Sequence, residues 1–95
     1  MVLGICCLDL LLHGNHSLKE KRHILRTLSE RVKARFNVSI AEVGDMDLWQ
    51  RAKIGCAVVG TDHSHLNSSL DKMVNFIEDM NLAEIIDSQV EIIHY

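Results

Sequence analysis

The amino-acid sequence predicts a single α+β domain in which two helices cover one face of a four-stranded antiparallel sheet. Three observations carry that expectation. The chain has 95 residues, no proline and 47% apolar content, enough for one core and too few residues for two. Apolar residues recur at helical spacing in two segments only, and the four remaining segments have the length and side-chain pattern of strands. The order is strand, helix, strand, strand, helix, strand.

Apolar residues crowd Val2 to Leu12 too densely and too briefly for a surface helix, and the run stops at His13-Gly14-Asn15, so it reads as a buried first strand. Ser17-Leu18-Lys19-Glu20 has the pattern of a capping box, in which the serine hydroxyl accepts from a first-turn amide and the glutamate reaches back. The helix begun there runs to about Arg35, with Leu18, Ile24, Leu25, Leu28 and Val32 in one sector. From Phe36 to Val43 the period changes to two, with Phe36, Val38 and Ile40 on one face. Ala52 to Gly60 is a third strand whose Ile54, Cys56 and Val58 point inward. Thr61 or Asp62 caps a second helix, with Leu66, Leu70, Met73, Ile77 and Met80 on one narrow face. A last strand spans about Ala83 to Tyr95, with Ile86, Val90 and Ile92 alternating against Asp87, Gln89 and Glu91. Right-handed crossovers leave few ways to bury both helix stripes against such a sheet, and the outcome is the ferredoxin-like βαββαβ plan over residues 1–95.

Three cysteines, two of them adjacent at Cys6 and Cys7, provide neither a disulfide framework nor a paired zinc motif, and fit a reducing cytoplasm. The apolar start contains Asp9, lacks a basic leader and is far shorter than the roughly 20 residues of a membrane helix, so export and membrane insertion are not expected.

The runs His16-Ser17-Leu18-Lys19-Glu20-Lys21-Arg22, Arg35-Phe36-Asn37-Val38-Ser39-Ile40-Ala41-Glu42-Val43 and Asp47-Leu48-Trp49-Gln50-Arg51-Ala52 resemble the YlxP-like family of small bacterial proteins, over most of the chain. The resemblance implies a ferredoxin-like fold and no assigned activity. It also implies genes lying among those for translation initiation and ribosome maturation, and so ribosomal RNA or ribosome-associated proteins as partners. Cys7 and Leu11 stand where relatives often carry basic residues.

Charge is the main functional clue. Between Lys19 and Arg35 lie seven basic and two acidic residues, a formal +5, against three basic and eleven acidic residues elsewhere, a formal -8. On a helical wheel Lys19, Arg22, Arg26 and Lys33 fall within roughly 60° of one another, opposite the buried stripe, forming a ridge that can track phosphates. A solvated helix face balancing an acidic remainder would have the same composition. No aromatic residue sits on the ridge.

Other constellations are thinner. His63, His65 and His94 are expected at one edge as weak metal candidates, and no cofactor is implied. No nucleophile with a partnered base supports catalysis. Leu3, Ile5, Ala57 and Val59 make the outer sheet face more apolar than water-facing sheets usually are, which leaves homodimerisation or small-ligand sensing as the alternative role. Topology gathers His13 to Ser17, Glu42 and the connection Gly44 to Arg51 at one end. Lys21 falls within the apolar sector and Glu42 shares the inner parity of its strand, so the two charges are expected to pair, with Trp49 covering them. His16, Trp49, Gln50 and Arg51 are the candidate partner-recognition residues at that end, and a structural clamp is the competing reading.

Overall fold

The computed structural model describes residues 1–95. Its elements are β1 (Val2–Leu11), α1 (Leu18–Arg35), β2 (Ser39–Gly44), β3 (Arg51–Gly60), α2 (His63–Asp79) and β4 (Glu84–His94). All neighbouring strands are antiparallel, in the spatial order β2-β3-β1-β4. The ferredoxin-like α+β plan is therefore the fold. No helix is long and apolar enough to cross a membrane.

The core lies between the sheet and the helices. Cys6, Leu8 and Leu10 of β1 with Ala52, Ile54 and Cys56 of β3 form its floor. Leu25, Leu28 and Val32 of α1 and Leu66, Leu70, Met73 and Ile77 of α2 close it from above. The α2 helix comes so near the sheet that a Cβ on Gly4 would sit 2.9 Å from Leu70 Cδ1 and 3.1 Å from Leu66 Cδ2. Glycine at that position lets the two layers meet.

Two boundaries differ from the sequence expectation. Phe36 and Val38 pack on the core with strand-like parity, but Phe36 is the extended C-cap of α1, its N–H donating to Val32 O at 2.8 Å. Pairing with β3 starts only at Ser39, opposite Ala57. In β4 the alternation is interrupted: Asp87 lies opposite Asp9, yet Ile85 lies opposite Leu10, so Ile86 is the extra residue of a bulge. Ile86 and Val90 are 42% and 43% exposed on this edge strand, whereas Ile85 and Ile92 pack against the core. Asp62, not Thr61, caps α2, its Oδ2 accepting from His65 N at 2.8 Å.

Candidate functional site

The end of the sheet where β1 finishes and α1 begins holds most of the polar chemistry. Ser17 Oγ accepts from Glu20 N at 3.1 Å, as a capping box requires. The reciprocal arm lands one residue early, with Glu20 Oε2 accepting from His16 N at 3.4 Å. Asn15 is buried, and its Nδ2 donates both to Ser17 O and to Trp49 O. Gln50 Nε2 donates back to Asn15 O at 3.2 Å, and Leu12 N to Gln50 O at 2.8 Å. One buried amide thus stitches the β2–β3 connection to the start of α1. The sequence pattern marked Asn15 only as part of a turn, since its burial depends on a loop thirty-four residues away.

Lys21 is 1% exposed, the largest fully buried side chain in the protein. Its Nζ donates to Asp45 O at 2.7 Å and Leu48 O at 2.8 Å, with Met46 O at 3.4 Å. Glu42 Oε2 lies 2.9 Å from the same nitrogen, but outside hydrogen-bond angles, so this is an ionic contact rather than a fourth bond. An ammonium has three protons, and this loop uses them on carbonyls. Asp45, in the left-handed region at φ 56°, opens the turn that Leu48 N closes onto Asp45 O at 3.1 Å. Lys21 and Glu42 do meet, but main-chain carbonyls roof the pair. Trp49, whose side chain was expected as the cover, is 53% exposed, and it is the carbonyl of that residue that Asn15 holds. Fully engaged and sealed, Lys21 is a fastener and has no free lone pair for chemistry.

The ridge residues Lys19, Arg22, Arg26 and Lys33 are all exposed on α1. At 1.5 Å per residue the row spans roughly 21 Å. It does not stand directly opposite the buried stripe. Arg22 and Arg26 lean towards the β2 edge, where with Leu25, Ser29, Glu42 and Ile54 they line a groove of about 250 Å³. Because Lys21 is internal and matched by Glu42, the outward excess of α1 is four positive charges, counting six basic and two acidic residues. Arg35, outside the row, lies over the Phe76 ring at 4.9 Å.

His16, Trp49, Gln50 and Arg51 share the Lys21 end and all are exposed, though the Gln50 amide is committed to Asn15. At the same end His13 Nε2 meets Glu84 Oε2 at 3.1 Å, tying the loop after β1 to the start of β4.

The histidines divide at the opposite end. His63 Nδ1 and His94 Nε2 are 2.9 Å apart, a hydrogen bond with one ring donating and the other accepting. His65 stands apart, lining a hollow with Arg35 and Phe36, and no three ligating side chains converge anywhere on the chain. Cys6 and Cys56 face each other across β1 and β3 inside the core. Burial first, and the neighbouring thiols second, push Cys6 up to about 11 and Cys56 to about 12 from the ordinary 9.0. Neither is a nucleophile near neutral pH.

Comparison with known proteins places this architecture. The curated protein described as "Uncharacterized protein YlxP" from Bacillus subtilis (strain 168) is 35% identical over 77 residues, covering 81% of this chain and 84% of that protein. The solved structural-genomics protein YJCS superposes with a TM-score of 0.56 at 8% identity, covering 97% of this chain and 99% of that one, a likeness of fold alone. A de novo designed protein, Ferredog-Diesel, aligns over 96% of this chain and 84% of its own at 14% identity with a TM-score of 0.47. The family model "Protein of unknown function (DUF503)" matches residues 3–90, and with a curated relative of that identity and coverage, the chain belongs to the DUF503, YlxP-like family.

Proposed function

We propose that this protein is an accessory factor that binds ribosomal RNA, or an RNA-containing translation or ribosome-maturation complex, along α1. One observation carries the reading: the exposed row Lys19, Arg22, Arg26 and Lys33 on a helix that keeps an outward excess of positive charge after Lys21 is matched internally by Glu42. Such a row gains affinity by displacing counterions from phosphates, and it needs no base-specific group to do so. The translation-linked neighbourhood implied by the family resemblance supports the same reading. The test is co-sedimentation with ribosomal subunits. The triple variant Lys19→Glu, Arg22→Glu, Arg26→Glu, folded by circular dichroism, loses co-sedimentation, and wild-type affinity falls with salt at a log–log slope of about -2 to -4, as three or four phosphate contacts demand. Unchanged co-sedimentation of the triple variant rejects the reading.

A second role is favoured by the open face of the sheet. Val59 there is 65% exposed and Ile5 37% exposed, with Val43 also in water. A second copy packed on this face would cover them. Light scattering at high concentration tests it: a dimer that Val59→Glu dissociates supports self-association, and a monomeric wild type rejects it.

A further inference from the structure

Trp49 is the one tryptophan in the chain, and it stands half in water on a loop that is unusually well held. Its carbonyl is bound by buried Asn15, the preceding carbonyl by buried Lys21, and the following Gln50 is bonded at both main chain and side chain. Exposing a large indole has a hydration cost, and fastening the backbone beneath it adds nothing to that side chain's own burial. A rigid, exposed aromatic face is instead what a stacking partner requires. Met46 and Leu48 are also exposed on the same loop.

The surroundings say which partner. The Asn15 amide that holds Trp49 O also holds Ser17 O, so the tryptophan backbone lies against the first turn of α1, where the basic row begins at Lys19. Arg51 follows two residues later at the head of β3. Asp45 and Asp47, on the loop itself, carry the opposite sign. A polyanion is therefore attracted along α1 and repelled from the loop, while an uncharged aromatic ring meets no such barrier over Trp49. A ligand with a charged backbone and flat, neutral side groups satisfies both demands. A continuous duplex does not, because its bases are already stacked within the helix.

We propose that the RNA held by α1 presents one unpaired base that stacks on Trp49, so that the preferred ligand is a stem with an open loop or bulge and not a continuous duplex. This rests on the RNA reading above and adds to it the part of the RNA that is recognised. The phosphates adjoining that base run on the α1 side, and Asp47 limits affinity by its proximity to them.

The sole tryptophan makes the contact directly observable. The probes are a synthetic RNA hairpin with an unpaired purine loop and a blunt duplex of the same stem sequence, each titrated at low salt and followed both by anisotropy of a dye on the RNA and by intrinsic tryptophan fluorescence. The hairpin is expected to quench Trp49 and to bind about 5–150-fold more tightly than the duplex, the range of one base–aromatic stack. Trp49→Leu lowers hairpin affinity to that of the duplex, Trp49→Phe retains most of the preference, and Asp47→Asn tightens the hairpin. Since the indole is half exposed and the loop is held through main-chain atoms, these variants keep the wild-type melting temperature. Hairpin binding without quenching, or a preference for the hairpin that survives Trp49→Leu, overturns the inference and leaves RNA binding by α1 standing. Failure of both RNAs to bind overturns the RNA reading, and this inference with it. Trp49 quenching by a protein while neither RNA quenches it would assign the loop to a protein pocket instead.

Discussion

Replacing Lys21 by methionine keeps most of the buried stem and removes the ammonium that Asp45 O, Leu48 O and Glu42 Oε2 surround at 2.7, 2.8 and 2.9 Å. Two short carbonyl bonds are lost from a side chain that is 1% exposed, and a carboxylate loses its counter-charge. Removing one member of a buried ion pair costs about 3–5 kcal/mol. Glu42 is 24% exposed, so water takes up part of that loss and the lower end, about 3 kcal/mol, is expected. Total stability for a domain of this size is about 5–14 kcal/mol. The melting temperature should then fall by about 12–24 °C. Urea unfolding followed by circular dichroism checks this, with the midpoint shifted and the slope unchanged. The double variant Lys21→Met, Glu42→Leu should be more stable than Lys21→Met alone, because the orphaned carboxylate goes too. Glu42→Gln should also destabilise, because the buried ammonium keeps its carbonyl bonds but loses its counter-charge. A fall of less than about 4 °C for Lys21→Met would refute the fastening role drawn from this geometry.

The buried thiols set an alkaline limit. Both are raised in the folded state, so the unfolded chain loses protons first; the stability they provide is complete below pH 9 and is lost as pH rises towards 11 and 12. Stability should therefore be lower at pH 10 than at pH 8, and a pH series of urea midpoints should fall less steeply in Cys56→Ala than in the wild type. A thiol reagent on native protein at pH 8 should modify Cys7, which is partly exposed, well before Cys6 or Cys56. Gly4→Ala should cost about 1–3 kcal/mol by overpacking, because the new methyl group meets Leu70, Leu66 and Val58 together, and a compensating Leu66→Val should restore part of it in thermal melts. Asp87→Lys should raise the melting temperature by a few degrees, since Asp9 currently has a like charge opposite it in β4 and only Lys53, 3.7 Å away, in its favour.

Residue spacing made most of this fold legible, and the exceptions share a physical origin. The stripes of α1 and α2 are read from period alone because each helix has one neighbour layer, and Leu25, Leu28, Val32, Leu66, Leu70, Met73 and Ile77 are all buried as that period requires. Lys21 stood out as a charge in an apolar sector, and Glu42 as a charge with inward parity. The carbonyls of Asp45, Met46 and Leu48 that share Lys21 did not, because a main-chain oxygen has no identity in a sequence. Trp49 was expected as a lid for a related reason: indole size is visible in the sequence, whereas a loop whose main-chain carbonyls, and not its aromatic side chain, close over Lys21 is not. In β4, alternation cannot reveal a bulge, and one extra residue at Ile86 was enough to move an isoleucine into water. The basic row was visible, but its lean towards β2 depends on how α1 rests on the sheet.

The fastening of residues 45–48 by Lys21 also links two motions that the chain order separates. The cation that gathers these carbonyls belongs to α1, so when the first turns of α1 lift from the sheet the β2–β3 loop loses its anchor in the same event. The amides of that loop and of the N-terminal half of α1 should then exchange hydrogen as one cooperative unit with a shared opening free energy, rather than as an independently fraying surface turn. Any ligand that steadies α1 would quiet Trp49 from a distance, and any contact at Trp49 would slow exchange along the helix.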